Sequence, residues 1–144
     1  MDDVSYLHLL PGKEPPSLPT GAFRAVVVVS EPVTAEWRNL VSDWLVRSGC
    51  LYMMAWGHEC SLWDDSVDYS MIAAHNLCET PDDSFVMTTW HDDDPLEEVF
   101  WYSENCAYHP TIDLARTIII DIASSDRSAE LLQAYLTVRC NDGA

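Results

Sequence analysis

Hydrophobic positions along this chain follow two alternating rhythms. The run "AFRAVVVVS" (22–30) is apolar at consecutive positions, rich in β-branched residues and bounded by turn residues. That pattern predicts a strand covered on both faces, as in a parallel sheet. The period then changes. In "EPVTAEWRNLVSDWLVRSG", Trp37, Leu40, Val41, Trp44 and Leu45 recur at helical spacing. Thr34 stands where an N-cap belongs and Gly49 where a helix stops. "CLYMMAWG" (50–57) reads as a second buried strand, and 60–77 as a helix with Trp63, Val67 and Met71 on one stripe. "SFVMTTWH" (84–91) reads as a third strand. After it Asp94 is the expected N-cap, Pro95 the first helical residue and Glu97 the partner in a capping-box-like spacing, for a helix running to Pro110. "ARTIIIDIA" (115–123) is a fourth strand and 126–139 a closing helix.

Strands alternating with helices argue for parallel βαβ units with right-handed crossovers. The expected fold class is α/β: a small three-layer α/β/α sandwich on a four-stranded, mainly parallel sheet, Rossmann-like or flavodoxin-like. The expected strand order is 2-1-3-4, counting predicted strands along the chain. In such sheets ligands bind beyond the carboxyl ends of the strands, at the switch in strand order, here between the first and third predicted strands. Residues 1–21 are rich in proline, which fixes φ and removes donors, so they read as an N-terminal arm. Residues 22–144 form a single domain, with no internal repeat and no low-complexity tract.

Composition narrows the function. The chain of 144 residues carries 7 Lys+Arg against 24 Asp+Glu, a formal charge of −17. A nucleic-acid partner requires cations that displace counterions from phosphates, and anionic membranes repel the same surface, so neither is expected. No apolar run approaches the roughly 20 residues of a membrane helix, and the N-terminus lacks the pattern of a secretory signal. The five cysteines are widely spaced without a CxxC pair, which fits small buried hydrophobes in a reducing cytoplasm rather than a zinc ribbon or redox motif.

Candidate chemistry gathers in two loops. The second predicted strand ends in "WGHECSLWDDSVD" and the third in "TWHDDDP". His58, Cys60 and His91 are ligand types for zinc, although the spacing within each loop matches no known ligand motif, so they stand as weak metal candidates and no cofactor is expected. Cys60 could serve as a nucleophile only if its thiol were activated, and the surrounding acids oppose that. There is no G-x-S-x-G elbow, no P-loop and no G-x-G-x-x-G after the first strand. Tryptophans beside carboxylates suit a protein-binding patch, since Trp anchors are enriched at interface hot spots. The partner-binding candidates are therefore Trp56, His58, Glu59, Trp63, Asp64, Asp65, Trp90, His91, Asp92 and Asp93.

The segments "GCLYMMAWGHECSLWDDSVD" and "DDSFVMTTWHDDDPLEEVFW", with the "FRAVVVV" strand before them, resemble a family of short uncharacterised bacterial proteins, a domain of unknown function. The resemblance implies a bacterial, cytosolic protein and carries no activity, cofactor or site residue onto this sequence. From the residues themselves, the leading expectation is an acidic cytosolic binding protein, such as an immunity protein or inhibitor covering a basic effector. The alternatives are a small metal-assisted hydrolase using His58, Cys60 and His91, and a small-molecule sensor using the same cleft.

Overall fold

Alternate residues of the central strand feed two separate cores, and that arrangement sets the layers. In the computed structural model, which describes residues 3–142, five strands lie in the order β1-β5-β2-β3-β4. They are β1 (Asp3–Leu9), β2 (Phe23–Val29), β3 (Cys50–Gly57), β4 (Met87–His91) and β5 (Arg116–Ile122), and every neighbouring pair is parallel. The helices are α1 (Ala35–Ser48), α2 (Cys60–Ala74), α3 (Leu96–Asn105) and α4 (Ser128–Asp142). Ala25, Val27 and Val29 of β2 pack with Trp37, Leu45, Trp63 and Val67 of α1 and α2. Val26 and Val28 pack on the opposite face with Val99, Phe100, Leu131 and Tyr135 of α3 and α4. With side chains alternating across the pleat, a strand in the middle layer is a near-continuous apolar run; in β2 the exception is buried Arg24, which donates to the Ala107 carbonyl and to Thr117 Oγ1.

The three-layer α/β class holds, while the strand count and order are corrected. The sheet has five strands instead of four. In the numbering of the predicted strands, the shared four lie 4-1-2-3 instead of 2-1-3-4. The reason lies in the crossovers. α1 and α2 both cover one face, so β3 and β4 follow β2 outward in sequence. α3 then crosses the other face against β2 and β3, and β5 returns on the far side of β2. The switch in strand order therefore falls between β2 and β5.

The added strand comes from the expected arm. Val4 and Tyr6 of β1 face one core, Leu7 and Leu9 the other, and the strand pairs with β5 along its whole length. Residues 10–21 then cross α1 as an irregular segment standing where a crossover helix would lie. The carbonyls of Lys13 and Pro16 accept the indole N–H groups of Trp37 and Trp44, each at 2.8 Å. Proline suits such a segment because it keeps its acceptor and loses only its donor.

Helix ends follow local chemistry in one case and depart from it in another. Thr34 Oγ1 accepts the Trp37 backbone N–H at 3.2 Å, and Gly49 closes α1 in the left-handed region at φ 103°. Asp94 is not the N-cap of α3. The helix begins one residue late, with extended Pro95 (ψ 155°) at the cap position and no side-chain cap bond. The carbonyl of Asp94 instead accepts the Trp56 indole N–H at 2.7 Å, and its carboxylate lies 3.6 Å from His91 Nδ1. Asp94→Ala is accordingly expected to change stability by no more than about 0.5 kcal/mol, below the ~1 kcal/mol of a lost N-cap. The backbone carbonyl that holds Trp56 survives the substitution. Thermal melts of the two proteins check this; a loss above ~1 kcal/mol contradicts it.

Burial also sets the alkaline limit. The Cys50 thiol is pushed from 9.0 up to about 12 by burial. The phenols of Tyr6, Tyr52 and Tyr135 are raised, again first by burial, with the Asp121 and Tyr102 hydrogen bonds adding to the first two. In each case the folded value lies above the unfolded one. The stability these groups contribute is thus complete below their unfolded values, near pH 9 for the thiol and about 10 for the phenols. It is lost as pH rises through the folded values. Unfolding is expected to set in above about pH 9–10, with phenolate absorbance and loss of ellipticity rising together. Full phenolate absorbance on a protein that keeps its ellipticity contradicts this.

Candidate functional site

At the carboxyl ends of β2, β3 and β4 a cleft of about 500 Å³ opens, lined by Val29, Ser30, Trp56, Gly57, His58, Asp92, Asp94 and Arg127. Parallel sheets leave such a crevice because the loops after neighbouring strands diverge where the strand order reverses. Gly57 forms the floor. It sits at φ 102°, and a Cβ there would lie 2.1 Å from the Val29 carbonyl oxygen, which already accepts the His58 N–H at 2.9 Å. Only glycine brings β2 and β3 this close at their ends.

One wall is fixed by a buried ion pair. Asp121 of β5 is fully buried and takes two hydrogen bonds from Arg127, Nη2 to Oδ1 at 2.5 Å and Nε to Oδ2 at 3.1 Å. Tyr6 donates to Asp121 Oδ2 at 2.6 Å and accepts the Arg127 backbone N–H at 2.8 Å. Arg127 Nη2 also donates to Ser30 Oγ at 2.7 Å. The hydrogen bonds to Asp121 raise the Arg127 guanidinium above its usual range. The network ties the edge strand β1, the end of β5, the start of α4 and the loop after β2 into one frame, and it compensates the Arg127 charge internally.

The other wall is acidic. Asp92 and Asp94 line it, and Asp93, Glu59 at the N-cap of α2 and Asp65 within α2 lie exposed nearby. The arginines at this end are already engaged, Arg127 with Asp121 and Arg38 with Glu59 at 3.5 Å. Between Arg47 and Arg116 the chain has no lysine or arginine at all. β3, α2, β4 and α3 fall inside that interval, so one half of the molecule carries only negative formal charge.

The expected site residues divide among several places. Trp56 and His58 line the cleft with Asp92. Glu59, Asp65, Asp93 and Trp90 are exposed on the acidic side, and Asp64 is partly buried. Trp63 belongs to the core instead: it is fully buried and meets Trp37 edge-to-face at 6.5 Å. The metal candidates do not converge. Because β3 and β4 are direct neighbours, their loops lie side by side and do not face one another across β2. Cys60, the first residue of α2, is buried in the core with its thiol against the His91 backbone, while the His91 ring lies edge-on to Tyr102 of α3, on the opposite face. His91 Nε2 pairs with Thr89 Oγ1 at 2.9 Å. Among the described residues no three His, Cys, Asp or Glu groups come together in a way that could hold a metal ion. The Cys60 thiol is raised, first by burial and further by Asp92, which is the opposite of an activated nucleophile.

A family model described as "Domain of unknown function (DUF7684)" matches residues 4–138, from the edge strand to the last turns of α4. The chain belongs to this DUF7684 family. No match was found among curated proteins or among solved structures. The family model takes in both sides of the cleft in this DUF7684 chain, Arg127 with its buried partner Asp121 as well as Asp92 and Asp94. No helix of the described residues is long and apolar enough to cross a membrane.

Sequence reasoning missed Tyr6, Ser30, Gly57, Asp94, Asp121 and Arg127 as parts of the site. For Asp121 a signal was present. A carboxylate inside "TIIIDIA" is a charge in an otherwise buried strand, and such a charge requires a partner. Arg127, six residues on, was available to supply it.

Proposed function

We propose that this protein is a binding protein whose acidic side covers a basic protein partner, in the manner of an immunity protein or inhibitor seated on a basic effector. The observation that carries the reading is the interval from Arg47 to Arg116 without a cation, folded into one half of the molecule. Opposite charge accelerates encounter with a basic surface, and half-exposed tryptophans such as Trp90 and Trp101 supply apolar area to slow release. Arg127 and Arg38 offset Asp121 and Glu59, so the field at this end comes from the remaining exposed acids, Asp92, Asp93 and Asp65 among them. The cytoplasm is the compartment in which such a protein, with free cysteines, would meet its partner.

A small-molecule sensor remains the second reading, favoured by the cleft above Gly57. The hydrolase reading gains nothing from the buried Cys60 or the separated His91. Affinity capture from the native cell at low salt tests the proposal. The expected result is one stoichiometric basic protein, released as salt rises. Capture of no such protein, or of one that stays bound regardless of salt and charge, counts against it.

A further inference from the structure

Among the described residues the sheet has two edges, β1 and β4, and β4 is uncharged itself but flanked by aspartates on both sides. β1 carries Asp3 as its one formally charged residue. β4 pairs with β3 on one side and, among the described residues, with no strand on the other. Its sequence, "MTTWH", carries no proline and no lysine and pairs with β3 without a bulge, so its shortness, five residues, is the one device that limits pairing along it. Thr88, Thr89 and Trp90 are good strand formers. None of its residues is fully buried, and Trp90 is 45% exposed. By alternation Trp90 shares the face of Thr88, whose hydroxyl donates to Asp68 of α2 at 2.9 Å. That face therefore adjoins α2, which also exposes Asp65 and Tyr69. Asp82 and Asp83 precede the strand, and Asp92 and Asp93 follow it.

These charges act in two directions. A second copy of the same edge would bring like charges together, which disfavours self-pairing. A segment bearing lysine or arginine would be drawn to the same place. We propose that β4 is the docking edge for the basic partner, which adds an extended Lys/Arg-bearing segment to the sheet as a sixth strand. Main-chain bonds along β4 give the pairing, Trp90 meets the apolar side chains of the segment, and the aspartate pairs at either end meet its cations. The inference rests on the binding-protein reading and adds the element that does the binding.

The test uses capped peptides of about six residues, a typical strand length, added to the intact protein at low salt. One alternates arginine with valine, one has the same charge with a central proline, and one carries glutamate in place of arginine. Amide hydrogen exchange is read across 86–98. The alternating basic peptide is expected to slow exchange within 87–91, while the proline and glutamate peptides do not. Trp90→Ala is expected to weaken binding by about tenfold or more, the loss of a modest aromatic anchor. If the two basic peptides bind equally and leave 87–91 unprotected, strand addition is overturned and the charge reading stands. If no basic peptide binds, strand addition is also overturned, and the capture experiment decides the charge reading separately. Protection of 87–91 that grows with protein concentration alone would make a second copy the occupant and overturn the proposal.

Discussion

Arg127→Met is expected to destabilise the protein by about 3–5 kcal/mol, the usual cost of stranding one member of a buried ion pair. Asp121 has no exposed surface, and two of its three side-chain hydrogen bonds come from Arg127. Without the guanidinium the carboxylate keeps only the Tyr6 hydroxyl. The Arg127 side chain is 30% exposed, so water can partly replace it and the lower end of the range is the better guide. A second substitution separates the pair from its parts. Asp121→Leu combined with Arg127→Met is expected to be less destabilised than Arg127→Met alone, because no buried charge is left unpaired. Urea unfolding of the variants measures both effects; a single-variant loss under ~1 kcal/mol contradicts the assignment. Since the network also binds β1, the single variant should lose protection in 3–9 before the rest of the sheet.

Gly57→Ala is expected to cost roughly 2–5 kcal/mol, from a left-handed φ imposed on a Cβ residue and from overpacking against backbone. The obstructing atom is the Val29 carbonyl oxygen, which cannot turn aside as a flexible side chain would. Relief requires the ends of β2 and β3 to separate, breaking the His58 N–H bond to Val29 and shifting Trp56 at the mouth of the cleft. The same substitution at Gly12, which has φ 82° and open space around it, carries only the conformational part. Comparing the two melting temperatures isolates the clash. Equal losses at both positions would mean that β2 and β3 do not approach as closely as described.

The layers were legible because burial on two faces leaves an unmistakable run such as "AVVVV", and because α1 carries its stripe, its Thr34 cap and its Gly49 stop in sequence. The order of the strands was not legible. Whether a crossover returns past β2 depends on which face each helix covers, and a buried apolar run does not record its neighbours. β1 was hidden for a different reason. "VSYLHL" stands beside a proline-rich stretch and mixes polar with apolar residues, as an edge strand can, so its pattern does not separate it from the arm. At the site, the "HDDDP" acids were visible as charge, but their company was not. Asp94 matched a cap pattern in sequence, and its carbonyl was taken by the indole of Trp56, a residue 38 positions away. Trp63 shows the converse: its neighbouring acids suggest an interface, while the stripe it shares with Val67 and Met71 is the face that packs into the core.

If the exposed acids at the carboxyl end meet a basic partner, neutralising them must slow its association. Asp92→Asn combined with Asp93→Asn removes two exposed charges that take no part in the buried network. Folding should be unchanged. Association of the double variant with the captured basic protein should be slower than that of the parent at low salt. The difference should shrink as salt rises, because exposed charges act mainly on encounter and are screened beyond about 10 Å at 0.1 M ionic strength. Equal association rates at low salt would contradict the claim and leave these aspartates as ordinary solvated surface.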